Sequence, residues 1–219
     1  MQTNIELARQ NMVENQVRPW EVLDARVLDT LRTVRREDFV APTHRALAFA
    51  DMALPLGHGE VMLKPVVEGR ILQALELQPG ERVLEIGTGS GFLTACMAQL
   101  AGSVTSVEMH ADLADAARAR LATAQIRNAR VEVAEALHTF STAEAFDTVV
   151  VGGAVHALPD RFRAWVRPGG RLFAFVGDSP AMQATLYRRA DDTHWSQESL
   201  FETDLPYLKN AEPPRRFML

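Results

Sequence analysis

Cysteine is nearly absent: Cys96 is the single one in 219 residues. One thiol can build neither an intramolecular disulfide framework nor a thiolate metal site, and it fits a reducing compartment. It lies in the apolar run FLTACMAQL, where buried packing is the expected role. The six histidines are scattered and show no metal-ligand spacing. No apolar run approaches the ~20 residues that span a bilayer. The opening stretch MQTNIELARQNMVENQVRP has no apolar core of the secretory kind. Positive charge is not in excess either. A net charge of −5 and a pI near 5.7 exclude nucleic-acid binding by general phosphate neutralisation. Blocks of like charge, internal repeats and low-complexity segments are missing too. What is there is 47% hydrophobic and 23% charged, the composition of an ordinary globular protein with length for one large domain. The expectation is a cytoplasmic protein with no nucleic-acid, membrane or metal partner.

Residues 5 to about 50 read as helical, with Val27, Leu28, Leu31 and Val34 on one apolar face and Pro19 and Pro42 as punctuation. A second amphipathic helix is predicted over Val66 to Leu77, with Pro65 near its first turn. A regular alternation follows: strand RVLEIG, helix GFLTACMAQLA, strand SVTSVEM, helix ADLADAARARLATAQ, strand RVEVAEA, strand FDTVVVGGA, a short helix around LPDRFRAWV and strand RLFAFVG. Strands alternating with helical patterns predict βαβ units, hence an α/β fold built as a doubly wound, mostly parallel sheet. The tail from Met182 is expected to add two antiparallel edge strands and a C-terminal extension. The organisation expected is a helical cap over residues 1–50 and one compact unit over 51–219.

The strongest motif is VLEIGTGSGF, in which a buried strand ends in Gly87-Thr88-Gly89-Ser90-Gly91 and a helix begins at once. Three glycines let the backbone turn sharply and offer amides at a helix N-terminus. A dinucleotide site needs G-x-G-x-x-G, yet Phe92 stands where that third glycine belongs. Glu85, just ahead of the turn, would repel a pyrophosphate and suits a cationic cofactor without phosphate. S-adenosyl-L-methionine, with its sulfonium and ammonium groups, is such a cofactor. Glu108 ends the next strand, 17 residues beyond Gly91, where a carboxylate can accept both ribose hydroxyls, and Met109 follows it. Glu135 and Ala136 close the third strand, where an acid can face the adenine amino group or simply be solvated.

These residues sit in a longer pattern. The chain resembles the protein-L-isoaspartate O-methyltransferase family through VRREDFVAP, FADMALPLGHGEVMLKP, LELQPGERVLEIGTGSGF, FDTVVVGGAVHALP, RPGGRLFAFVG and the ending RRFML. The resemblance implies a class I methyltransferase with a seven-stranded Rossmann-like sheet that esterifies the isoaspartyl carboxylate of aged proteins. It also implies that Glu85, Gly87, Gly89 and Gly91 hold S-adenosylmethionine, with Thr88 and Ser90 in the same turn. Glu108 would hold the ribose, and the Ala134-Glu135-Ala136 turn, Gly-Asp-Gly in the family, the adenine side.

The departure falls at PLGHGEVMLKP, expected to be the acceptor-side loop. The family reads G-x-G-Gln-Thr-Ile-Ser-x-Pro there; in this chain Glu60 replaces the glutamine, Val61 the threonine and Leu63 the serine. A carboxylate acceptor is already ionised at neutral pH and needs no base, so the missing hydroxyls would have oriented an anion. Glu60 adds a negative charge that opposes an anionic acceptor, and Lys64 offsets it only if it points inward. Three readings stay open: methylation of isoaspartyl carboxylates with backbone amides replacing the hydroxyls, methylation of a small-molecule acceptor, or cofactor binding without turnover. A hydroxyl acceptor would need a base, for which His58, Glu60 and His156 are the candidates. The candidate catalytic positions are His58, Glu60 and Leu63.

Overall fold

The computed structural model describes residues 2–214, so the RRFML ending lies outside the described residues. Seven strands form the main sheet: β3 (Arg82–Ile86), β4 (Ser103–Glu108), β5 (Ala129–Val133), β6 (Phe146–Val155), β7 (Val166–Val176), β8 (Met182–Arg189) and β9 (Trp195–Thr203). Their order is β5-β4-β3-β6-β7-β8-β9, with β5 to β7 parallel and β8 and β9 antiparallel. The parallel strands are apolar along most of their length because helices cover both faces. On these faces lie α3 (Pro65–Leu75), α4 (Phe92–Leu100), α5 (Ala111–Thr123) and the short α6 (Asp160–Ala164). The doubly wound sheet and the antiparallel edges expected from the sequence are both present.

Strand order reverses between β3 and β6, and ligands of open α/β sheets bind at such a switch point. Backbone approach is unusually close there: a Cβ added to Gly152 would fall 2.9 Å from the Gly87 carbonyl oxygen.

Chain before the sheet is helical: α1 (Gln2–Met12) runs into a π-helical turn at Val13–Val17, and α2 (Ala25–Thr33) follows. Asp24 caps α2 by accepting from the Arg26 N–H at 2.8 Å. The face Val27, Leu28, Leu31 and Val34 is buried as expected, in one hydrophobic cluster with Met12, Val17, Leu72 and Phe92. This segment therefore shares its core with the sheet.

Residues 54–62, expected as a loop, form a two-stranded hairpin, β1 (Leu54–Gly57) and β2 (Glu60–Met62). Gly57, His58 and Gly59 all have positive φ, at 100°, 56° and 85°, and make its tip. Leu54 and Met62 face each other across the hairpin and are both buried, which anchors it in the core. At the other end, residues 206–211 run beside the carboxyl end of β6. The Ala154 N–H donates to Pro206 O at 3.0 Å, and the Leu208 N–H donates to Ala154 O at 2.8 Å. No helix of the described residues is long and apolar enough to cross a membrane.

Candidate functional site

The glycine turn, the ends of β4, β5 and β6, the hairpin and the C-terminal strap enclose one cleft, with about 610 Å³ of unfilled space partly open to solvent. Gly87, Gly89 and Gly91 all have positive φ, at 89°, 52° and 84°. A side chain at Gly91 would press on Ala117 at 3.2 Å, so glycine is required there twice over. Ser90 Oγ accepts from the Phe92 N–H at 3.2 Å and closes the turn into α4.

Glu108 is buried at the end of β4. Its Oε2 accepts from the Gly89 N–H at 2.9 Å and its Oε1 from the His110 N–H at 3.0 Å. These two bonds fix the carboxylate and leave lone pairs for a ligand in the cleft. Met109, Glu135 and Ala136 line the same cleft. The carboxylate of Glu135 is turned back onto its own loop, with Oε1 accepting from the Leu137 N–H at 2.9 Å and Oε2 2.7 Å from His138 Nδ1.

Glu85 lies beneath the glycine turn and is 0% exposed. Its Oε2 accepts from the hydroxyls of Ser106, at 2.6 Å, and Thr94. Thr88 Oγ1 lies 2.5 Å from Ser106 Oγ, so the turn itself is tied into this network. A smaller cavity, with about 310 Å³ of unfilled space partly open to solvent, lies between the turn and the hairpin, lined by Glu85, Glu68, Thr88, Val61 and Leu63. Leu63 is buried there, and Val61 borders both this cavity and the main cleft.

Beneath the hairpin lies Arg36, 0% exposed in the middle of VRREDFV. Its guanidinium donates to Ala48 O at 2.8 Å and Leu63 O at 2.6 Å, and pairs with Glu68 of α3. Its Cζ also sits 4.9 Å from the Phe92 ring centroid. One buried cation thus joins the N-terminal segment, the hairpin exit, α3 and the start of α4. Burial pushes the Glu68 carboxyl up to about 7 against the opposing charge of Arg36, and pushes Glu85 up to about 8. Both acids hold protons more tightly in the folded chain than in the unfolded chain. Stability is therefore expected to fall as pH rises from the ordinary carboxyl range to about 8 and to level off above it. Denaturant titrations between pH 5 and 9 check this; a contribution from these two acids that rises across that range contradicts it.

Of the three candidate catalytic positions, Glu60 lines the cleft and Leu63 the small cavity. His58 lines neither. It is exposed at the hairpin tip, stacked on His110 with ring centroids 4.0 Å apart, and Nε2 lies 2.9 Å from Asp112. Burial and the nearby Glu108 raise the pKa of Glu60, while His110, His58 and Lys209 oppose the shift. His156 is also outside both cavities and faces Asp178 at 2.5 Å. Lys64 is exposed, as a solvated lysine should be. Cys96 is buried, and burial raises its thiol pKa far above the usual range, which fits packing.

Sequence reasoning missed three contributors: Arg36, the glycine pair Gly152-Gly153, and Leu208-Lys209. Leu208 lies against Gly87 and Gly153, and a Cβ at Gly153 would stand 2.8 Å from its Cδ2. Lys209 is the sole Lys or Arg among the described residues lining the main cleft, which Glu60, Glu108 and Glu135 also line. The composition of the lining tests the expected cofactor. Glu60 and Glu108, two acids beside a glycine cradle, fit a cationic nucleoside and would repel a pyrophosphate.

The doubly wound sheet with antiparallel edges and an acidic cleft at its switch point defines a class I S-adenosylmethionine-dependent methyltransferase. The family model for protein-L-isoaspartate(D-aspartate) O-methyltransferase matches residues 7–207. The chain belongs to that family. Curated relatives carry the same family name. A Rhodopseudomonas palustris protein-L-isoaspartate O-methyltransferase (strain CGA009) is 35% identical over 202 residues, 92% of this chain and 93% of its own. The corresponding protein of Anaeromyxobacter dehalogenans (strain 2CP-1) is 39% identical over 82% of this chain and 87% of its own. Among solved structures, a Plasmodium falciparum protein assigned to the same enzyme and crystallised with S-adenosyl-L-homocysteine superposes with a TM-score of 0.78. It has 19% identity and covers 92% of this chain and 98% of that one, a likeness of fold.

Proposed function

We propose that this chain transfers the methyl group of S-adenosylmethionine to the carboxylate of isoaspartyl residues in proteins or peptides. The observation that carries the reading is the acidic glycine-turn cleft adjoining the hairpin, in a chain of this family. When bound, the cofactor supplies an electrophilic methyl group on a positively charged sulfur. Gly87, Gly89 and Gly91 would offer backbone amides and close approach, Glu108 would accept from the ribose hydroxyls, and Met109 and Ala136 would flank the base. Glu85 would balance positive charge from below. Incubation with S-adenosylmethionine and an isoaspartyl peptide is expected to add one methyl group, seen by mass spectrometry and lost in mild base. No mass gain at any enzyme concentration contradicts the reading.

An ionised acceptor needs alignment, not deprotonation. With Val61 and Leu63 lacking hydroxyls, orientation of the anion falls to backbone amides of the hairpin exit and to Lys209. Lys209→Met is accordingly expected to raise KM for an isoaspartyl peptide by about tenfold, the worth of one charged contact near a surface. Cofactor affinity should change little, and an unchanged KM contradicts this role. A hydroxyl acceptor finds weaker support, because neither His58 nor His156 lines the cleft and Glu60 is the one basic candidate that does.

The segment 1–50 is proposed to act as a cap that supports the cofactor and acceptor sites through the shared core, since none of its described residues lines either cavity. Deleting residues 1–25 removes Met12, Val13, Val17 and Val22, all fully buried. Loss of soluble folded protein is expected, and a truncated protein with unchanged cofactor affinity contradicts the cap.

A further inference from the structure

We propose that Glu85 carries a proton when the cleft holds no cofactor and releases it to solvent when a cationic cofactor enters, so that this residue senses the charge on the cofactor. The inference rests on the reading of S-adenosylmethionine as cofactor.

The argument starts from one oxygen. Oε2 of Glu85 accepts from two hydroxyls, Ser106 and Thr94, whereas Oε1 is buried and has no hydrogen-bond partner among the described residues. An ionised carboxylate would leave that Oε1 as a buried anionic oxygen with no donor, which is among the costliest arrangements in a protein interior. The neutral acid lowers the cost, because an unpaired hydroxyl is far cheaper to bury than an unpaired anionic oxygen. With Oε2 receiving both hydroxyls as the carbonyl oxygen, the proton belongs on Oε1.

The groups around it act in the same direction. Glu108 faces Glu85 from β4 and Glu68 faces it from α3, and both oppose its ionisation. From α4 come Thr94 and the neutral thiol of Cys96. Its register neighbours on β4 and β6 are Ser106 and Val150, neither of them charged. The buried cation Arg36 is engaged by Glu68. Burial accordingly raises the carboxyl to about 8.

Glu85 nonetheless lines the small cavity, which shares Val61, Gly87, Gly89 and Gly152 with the cofactor cleft. A positive charge brought to the glycine turn would supply the counter-charge that the protein itself withholds. The O–H bond of Glu85 then breaks, the proton passes to buffer, and the electron pair remains on the carboxylate; nothing is oxidised or reduced. Methyl transfer converts the sulfonium to a neutral thioether. The carboxylate then loses part of its partner charge and takes a proton back, which weakens retention of the product.

The test is titration calorimetry of the full chain with S-adenosylmethionine and with S-adenosylhomocysteine, each in two buffers of equal pH and different ionisation enthalpy. The expected result is release of about one proton per S-adenosylmethionine at pH 7, close to none at pH 9.5, and clearly less for S-adenosylhomocysteine. Glu85→Gln, which mimics the neutral acid, should abolish the release. Release equal to wild type in that variant, or none in wild type at pH 7, overturns the proposal. If Glu85→Gln fails to fold, Ser106→Ala removes a donor that favours the anion and should shift the release to higher pH; an unchanged pH dependence counts against it. Infrared difference spectra of the cofactor-free protein supply a readout without ligand. The part of the protonated-carboxyl band that Glu85→Gln removes is expected at pH 6.5 and should fade by pH 9.5, separate from the part that belongs to Glu68; its absence at pH 6.5 overturns the proposal. Failure of S-adenosylmethionine to bind while that band is present would instead count against the cofactor reading.

Discussion

Glu108→Gln is expected to weaken S-adenosylmethionine binding by about 10²-fold, the cost of losing hydrogen bonds to a buried charged group. The carboxylate accepts from two backbone N–H groups, at 2.9 Å from Gly89 and 3.0 Å from His110, and so holds the glycine turn while presenting its remaining lone pairs to the cleft. A carboxamide would turn its NH2 group toward one of those N–H groups, placing donor against donor. The turn then loosens as the ligand contact is lost. Glu108 sits at the end of β4, so the melting temperature should move by only a few degrees. Removing its charge should also let Glu60 titrate at lower pH, since Glu108 is one cause of its raised pKa. Calorimetric binding checks the main claim; wild-type affinity in the variant contradicts it.

Arg36→Met is the second large effect. It leaves Glu68 as an uncompensated buried acid and strips the donors from Leu63 O and Ala48 O. Removing one partner of a buried ion pair costs about 3–5 kcal/mol, a large share of the stability of a domain this size. Replacing both partners with apolar residues of similar volume is often close to neutral. Arg36→Met combined with Glu68→Leu is therefore expected to recover most of the lost stability. Cofactor affinity should recover with it, but methyl transfer should not. The hairpin exit at Leu63 would still lack its anchor, and a displacement of about 1 Å can cost about 10²-fold in rate. Denaturation midpoints and steady-state kinetics on the single and double variants separate the two effects. A double variant with full activity would reduce Arg36 to a structural role.

Much of the fold was legible because its signals are local. The β3 run RVLEIG and the β6 run FDTVVVGGA are apolar enough to be read as covered strands, and the Gly87–Gly91 turn carries its own spacing. The 17 residues from Gly91 to Glu108 span one helix and one strand, so the second acid could be placed as well.

Arg36 was not legible. In VRREDFV it looks like one more surface charge, and its partners Ala48, Leu63 and Glu68 lie 12, 27 and 32 residues away. Lys209 was hidden for the same reason. It reaches the cleft only because residues 206–211 pair with the end of β6, and such pairing leaves no periodicity in the sequence. The hairpin stood between these cases: glycines at 57 and 59 marked a turn, but nothing local said that Leu54 and Met62 would face each other and enter the core. His58, chemically the most suggestive residue of that stretch, ended at the exposed tip because the strand pairing turned it outward.

The central claim is that the cleft binds S-adenosylmethionine and that the altered hairpin still presents an isoaspartyl carboxylate to it. The most direct measurement follows labelled methyl transfer to two peptides of one sequence, differing only in whether the aspartyl linkage is normal or isomerised, with cofactor binding measured on the same preparation. The account predicts cofactor binding and a base-labile methyl ester on the isoaspartyl peptide alone. Cofactor binding with no label in either peptide would contradict it, and would mean that Val61 and Leu63 mark a different acceptor or none.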